Sequence, residues 1–349
     1  MKSNSLKFID LYAGLGGFHQ ALSKLGHECV WASEYNLNLR KLYSKNFPET
    51  PIEGDIFKVE LDSIPEHDII CGGFPCQPFS ISGKKKGFDD TRGTLFFDVC
   101  RIIEEKQPKI VVLENVKHLI HHDKKNTIKV ILNSLKSLGY NVNHRILNTK
   151  DFGLPQNRER IFIIGTKNSF FDFDLMRTKK AKPLSFFLDK EGDFEYLDKG
   201  NYTLLEQGIY KKQESGLIFR GYRNKNTFQK GIRPGTLHLN RTHRQTNRIY
   251  CVNGYHPTIP SQETSGRFFI YLPTEDKVRK LTIDECYRIM GFPNDFIKHP
   301  AVGHRYRQIG NSVGVNVIKE ISHQIIQQNL LSNEPQRKTT GNLRKLLFD

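Results

Sequence analysis

Between residues 6 and 116 the chain repeatedly carries a short apolar segment up to a single polar side chain suited to chemistry. Leu6–Leu11 leads into Tyr12, Glu28–Ser33 into Glu34, and a strand end at 54–56 carries Asp55. Asp68-Ile69-Ile70 runs into a loop bearing Cys76, and Lys109–Leu113 into Glu114. Helical spacing fills the gaps: Ala21, Leu22 and Leu25 up to Gly26, then Leu39–Asn46 and Thr94–Glu105. Buried strands alternating with amphipathic helices predict an α/β fold around a largely parallel sheet. Such sheets gather their chemistry at the carboxyl ends of the strands. Five polar groups are therefore expected to converge on one sheet edge.

The turn after the first strand, Ala13-Gly14-Leu15-Gly16-Gly17-Phe18, brings backbone close to a ligand, in the Rossmann-like manner. Glu34 follows Gly14 by 20 positions, where an acid reaches ribose hydroxyls. His19 stands where the third glycine of a GxGxxG pattern belongs, which favours a nucleoside ligand without a pyrophosphate. Asp55 suits the exocyclic amine of an adenine; an ordinary turn cap is the other reading.

Cys71-Gly72-Gly73-Phe74-Pro75-Cys76-Gln77-Pro78-Phe79-Ser80 is turn chemistry at the end of a strand. Gly72 and Gly73 permit a sharp exit, and Pro75 and Pro78 fix φ on either side of Cys76. A thiol so presented reads as a nucleophile rather than a small buried hydrophobe. Ser80–Gly87 follows with three lysines, a cationic loop suited to phosphate contact or to closing over a ligand. Farther on, Asn126–Leu138 reads as a helix, and 143–148 and 160–165 as strands. Between those strands Gln156-Asn157-Arg158-Glu159-Arg160 suits phosphate or base-oxygen contacts, with a structural salt-bridge cluster as the alternative.

Charge then narrows the partner. Lys and Arg number 53 against 37 Asp and Glu, a net charge of +16 over 349 residues, which points to a polyanion. The excess is concentrated: from Ser215 to Gln262 there is no acid, while Arg220, Arg223, Arg241, Arg244 and Arg248 accumulate. Strand–helix alternation lapses from residue 168 to about 275, so a basic, loop-rich surface suited to phosphate contacts and base edges is expected there. Six cysteines without a CxxC pair favour reduced thiols and no metal site. No apolar run approaches the ~20 residues of a membrane span. A soluble cytoplasmic protein is expected. After 275, Lys280–Cys286 opens a helix that Gly291-Phe292-Pro293 closes. Asn311-Ser312 is expected to cap a last amphipathic helix through Val317, Ile318, Ile321 and Ile325. Residues 333–349 read as a basic tail.

Taken together, Asp10–Gly17, Gly73–Gln77, Glu114-Asn115-Val116, Gln156–Arg160 and Gly310-Asn311-Ser312-Val313 stand in the order of the DNA (cytosine-5)-methyltransferases. The resemblance is to the bacterial restriction-modification type, over about residues 6–167 and 278–328. It implies a Rossmann-like S-adenosylmethionine-dependent catalytic domain (1–170), a target-recognition domain (171–275) and a return segment (276–332). It implies catalysis by Cys76 and Glu114 with Arg158 and Arg160. S-adenosylmethionine would be held by Tyr12, Gly14, Gly16, Gly17, Glu34, Tyr35, Asp55, Ile56, Phe74, Pro75, Leu95, Asn311, Ser312 and Val313. Double-stranded DNA would be met by Ser80, Ser82, Lys84, Arg92, Arg220, Arg223, Arg241, Arg244, Arg248 and Thr258. The resemblance further implies a monomer in the bacterial cytoplasm, near the nucleoid, protecting sites that a cognate restriction endonuclease would cut. A transfer-RNA methyltransferase is disfavoured by the length of the 171–275 region. A catalytically silent DNA-binding protein is disfavoured by the retention of Cys76, Glu114 and Arg160.

Overall fold

The structure, a computed structural model, describes residues 5–75, 95–206, 212–224, 247–261 and 269–331. Its first half builds a sheet from β1 (Lys7–Leu11), β2 (Glu28–Ser33), β3 (Ile52–Glu53), β4 (Ile69–Gly72), β5 (Ile110–Val116), β6 (Asn141–Asn148) and β8 (Glu159–Thr166). The spatial order is β3-β2-β1-β4-β5-β8-β6. The first five strands run parallel, and β8 enters antiparallel between β5 and β6. Successive strand residues feed opposite faces, as the pleat requires. Phe8, Cys71 and Val112 enter one apolar cluster, and their neighbours Ile9, Ile70 and Val111 enter another.

Helices cover both faces. On one lie α1 (Gly17–Ser23) and, from the end of the chain, α5 (Ile283–Arg288), α6 (Val302–Asn311) and α7 (Val315–Gln327). On the other lie α3 (Leu95–Lys106) and α4 (Asn126–Ser137), through Val99, Ile102, Ile103, Ile131 and Leu135. The remaining helix, α2 (Leu37–Asn46), follows β2 and is capped by Asn36. The last helix packs on the first, burying Val317, Ile318, Ile321 and Ile325 as their spacing predicts. Its cap differs from expectation. Asn311 ends α6 and Ser312 is that helix's C-cap, while α7 begins after Gly314. An additional short helix thus stands where one continuous cap was expected.

The second half is less loop-rich than its composition suggests. A five-stranded sheet, ordered β14-β13-β11-β10-β9, is formed by β9 (Tyr202–Leu204), β10 (Phe219–Arg223), β11 (Arg248–Cys251), β13 (Phe269–Leu272) and β14 (Lys277–Lys280). Its strands are short and buried on a small core of Ile249, Cys251, Phe269, Tyr271 and Val278, so they leave no clear alternation to read. The last of them lies past residue 275, where the return segment was expected to begin. Two minimal strands, β7 (Gln156–Asn157) and β12 (His256–Pro257), pair in parallel and bring the two halves together. Among the described residues no helix is long and apolar enough to cross a membrane, and no group of His, Cys, Asp and Glu could hold a metal.

Candidate active site

A cavity of about 990 Å³ opens along the carboxyl ends of β1, β2, β4 and β5. Four of the five groups expected there line it: Tyr12, Glu34, Asp55 and Glu114. Cys76 lies outside the described residues, but Gly73, Phe74 and Pro75, which lead to it from β4, also line the cavity. So do Gly14, Gly17, Tyr35, Ile56, Leu95, Asn311, Ser312 and Val313.

The turn after β1 is built on backbone that only glycine adopts easily. Gly14 and Gly16 have φ of 57° and 75°. Tyr12 shares the left-handed region at 54° without that freedom, and its hydroxyl donates to the Leu95 carbonyl at 2.5 Å. Gly17 is needed for clearance: a Cβ there would sit 2.7 Å from Val313 Cγ2 and 3.0 Å from Ser312 Oγ. Gly16, by contrast, does not line the cavity. Its absent side chain makes room for the rings of Tyr43 and Phe47. His19 packs in the same place, stacked on Phe47 at 3.7 Å with Nδ1 2.8 Å from the Tyr43 hydroxyl. The residue that breaks the dinucleotide pattern is thus a core residue.

Glu34 is held open to a ligand. Its Oε2 accepts from Gly14 N at 3.0 Å and its Oε1 from Asn36 N at 2.8 Å, and burial still pushes its carboxyl above the ordinary range. Each oxygen keeps a second lone pair for a donor. Asp55 fulfils both of its readings, lining the cavity and capping the next turn through Phe57 N at 3.2 Å. Two carboxylates, aromatic rings and a Cβ-free turn in a cavity of this size suit an uncharged nucleoside with hydroxyl and amine donors.

The other end is dominated by Glu114. Its Oε1 lies 3.1 Å from Arg160 Nε, and its Oε2 would be 3.5 Å from a Cβ on Gly73. Burial pushes the Glu114 carboxyl up, against the pull of Arg160 and then Arg158. A carboxyl so placed holds its proton more firmly than an exposed one, which suits a general acid. Next to it Asn115, to which no role was assigned from sequence, donates Nδ2 to the Phe74 carbonyl at 2.8 Å. The strand bearing Glu114 thereby tethers the loop leading to Cys76.

Arg158 works differently from expectation. Its guanidinium donates to the carbonyls of Ile259 at 3.3 Å, Gly310 at 3.0 Å and Ser312 at 2.5 Å, and it is 1% exposed. It clamps the return segment to β7 and β8, and it also lines the cavity, where its charge acts on Glu114. Thr258 likewise donates to Asn157 O at 2.8 Å, extending the β7–β12 pairing. Arg220 is buried, donating to Leu205 O and lying over the Tyr271 ring, which ties it into the second sheet. Arg223 and Arg248 stand on that sheet, away from the cavity, with Arg223 over the Phe269 ring. Ser80, Ser82, Lys84, Arg92, Arg241 and Arg244 lie outside the described residues. The cavity also takes in Ser33, Ser261, Arg307 and Gln308, which carried no periodic or turn signal in the sequence.

Comparison with known proteins agrees with this architecture. The model of the C-5 cytosine-specific DNA methylases matches residues 6–327. The Type II methyltransferase M.HhaI of Haemophilus parahaemolyticus is 40% identical, over 92% of this chain and 94% of its own. M.HpaII of Haemophilus parainfluenzae is 37% identical, over 92% and 89%. Among solved structures, a mutant of Spodoptera frugiperda DNMT2 superimposes with a TM-score of 0.67 at 20% identity, covering 92% of this chain and all of its own. That last likeness supports the fold alone. From its glycine turn to its last helix, then, this chain belongs to the C-5 cytosine-specific DNA methylases and is a DNA (cytosine-5)-methyltransferase.

Proposed function

We propose that the protein methylates carbon 5 of one cytosine within a specific double-stranded DNA sequence, through transient attachment of Cys76 to carbon 6. The supporting observation is the buried Glu114–Arg160 pair, set in one cavity with the nucleoside-type subsite and the start of the Cys76 loop.

Carbon 5 of cytosine is a weak nucleophile, and a thiolate adding at carbon 6 makes it an enamine carbon able to attack an electrophile. Glu114, its proton affinity raised by burial, would donate to the ring nitrogen as charge builds there. Arg160 holds the carboxyl in place and offers remaining donors to the base carbonyl. S-adenosylmethionine is the methyl donor of this family and supplies the electrophilic methyl group. Tyr12, Glu34 and Asp55 would hold its nucleoside portion, and its methionine part would lie along the Gly14–Gly17 turn, beside Ser312 and Val313. Loss of the carbon-5 proton to a base and expulsion of the thiolate complete the cycle. Carbon 6 is shielded inside a duplex, so the base must be flipped out. The basic second sheet would hold the flanking DNA, and methylation would protect sites from a cognate endonuclease.

The test is a duplex carrying 5-fluorocytosine in the methylated position. Fluorine cannot leave as a cation, so the adduct should persist through denaturation, require S-adenosylmethionine and disappear in Cys76→Ala. The described cysteines are poor rivals: Cys29, Cys71, Cys100, Cys251 and Cys286 are all buried, and burial pushes each thiol up. An adduct that survives in Cys76→Ala, or maps to Cys71, would overturn the assignment.

A further inference from the structure

The segment that leaves β5 just beyond Glu114 is basic and conformationally costly. Lys117 to Lys125 holds three lysines and three histidines against one acid, Asp123. Asp123, Lys124 and Lys125 follow one another at φ of 46°, 51° and 72°. Each carries a Cβ, and such residues enter the left-handed region singly and at a cost. Local packing shows how the run is held. Leu119 is wholly buried in the core beside β5. His122 Nδ1 lies 2.6 Å from Thr127 Oγ1, and Asn126 Nδ2 donates to Asp123 Oδ2 at 3.4 Å.

Packing does not account for the residues chosen at the tip. Lys124 and Lys125 are exposed, and neither has an acidic partner among the described residues. Lys117, by contrast, is paired with Glu159 at 2.9 Å. Two unpaired lysines therefore occupy backbone that glycine would fill more cheaply. Strain of this kind persists where function demands it. The position is telling, because Val116, the residue before this segment, lines the catalytic cavity.

We propose that Lys124 and Lys125 form a DNA-backbone contact beside the catalytic cavity, separate from the second sheet. This rests on the DNA-methylation reading above. Lysine acts on phosphate as a point charge and carries no base information, so the contact would position the duplex without selecting its sequence.

The test is equilibrium binding of a short target duplex between about 50 and 200 mM salt, for wild type, Lys124→Gln/Lys125→Gln and Lys124→Arg/Lys125→Arg. Each lost phosphate contact should lower the slope of log affinity against log salt by about 0.9, so by about 1.8 for the Gln pair. The loss should appear in KM for DNA rather than in kcat, and the Arg pair should keep the wild-type slope. An unchanged slope in the Gln pair, or an equal loss in the Arg pair, would overturn the contact. A wild-type protein whose DNA affinity ignores salt would overturn the DNA-binding reading itself.

Discussion

Arg160 Nε lies 3.1 Å from Glu114 Oε1, and both side chains are largely buried at the end of the cavity where the Cys76 loop begins. Antiparallel pairing of β5 with β8 creates this relationship, since it sets Val116 opposite Arg160 and Glu114 opposite Phe162. Burial outweighs the ion pair in its effect on Glu114, leaving a carboxyl whose folded-state pKa is raised. That combination holds a carboxyl rigidly while keeping its proton available.

Glu114→Gln should therefore lose turnover by about 10²-fold or more with little change in DNA affinity, as for a general acid. Stability gives an independent readout. A carboxyl with a raised folded pKa favours the fold below its unfolded value of about 4.5 and loses that contribution as pH rises through the folded value. The stability of wild type relative to Glu114→Gln should thus fall as pH rises above about 4.5. Denaturation midpoints that track each other across this range would refute the assignment.

Gly17→Ala should bind S-adenosylmethionine at least about 10-fold more weakly while folding normally. Its new Cβ would press on Val313 and Ser312, so the turn and the return segment must separate. Overpacking of this kind costs about 1–3 kcal/mol. Calorimetric titration that returns wild-type affinity would show that the turn is not part of the cofactor site.

The buried pair Arg279–Glu285 should dominate the attachment of the second sheet. Arg279 on β14 donates twice to Glu285 on α5, at 2.8 and 2.7 Å, under the ring of Phe194. Glu285 also accepts from the Asp189 and Thr282 backbone. Glu285→Ala leaves a buried guanidinium unpaired and should cost about 3–5 kcal/mol in urea denaturation. A loss below 1 kcal/mol would place the coupling elsewhere.

Acid should destabilise the fold through two buried histidines. Burial lowers His19 and His256 from 6.5 to about 4. Groups with a depressed folded pKa stabilise above the unfolded value, and that stability is lost as pH falls from 6.5 toward 4. The loss should approach the order of 3 kcal/mol for each. His19→Gln should flatten this part of the pH–stability curve, and an unaltered profile would exclude His19 as a contributor.

Much of the catalytic half was legible in sequence because its signals are local. Buried strands alternate with amphipathic helices, and each strand ends in a group whose chemistry is visible, so Tyr12, Glu34, Asp55 and Glu114 could be gathered at one edge before any coordinates. Glycine at 14 and 16 likewise acts through its own backbone, at φ of 57° and 75°. The roles that tertiary structure decided are those set by partners far away in the chain. Arg158 and Arg160 are two residues apart and chemically identical, yet one clamps Gly310 and Ser312 while the other holds Glu114. Arg158 falls in the break between β7 and β8 while Arg160 lies on β8, so the strand pleat does not relate the two side chains, and nothing local says which partner each will meet. Arg220 shows the same limit: its charge is written in the sequence, but the fold turns it to the Leu205 carbonyl and the Tyr271 ring.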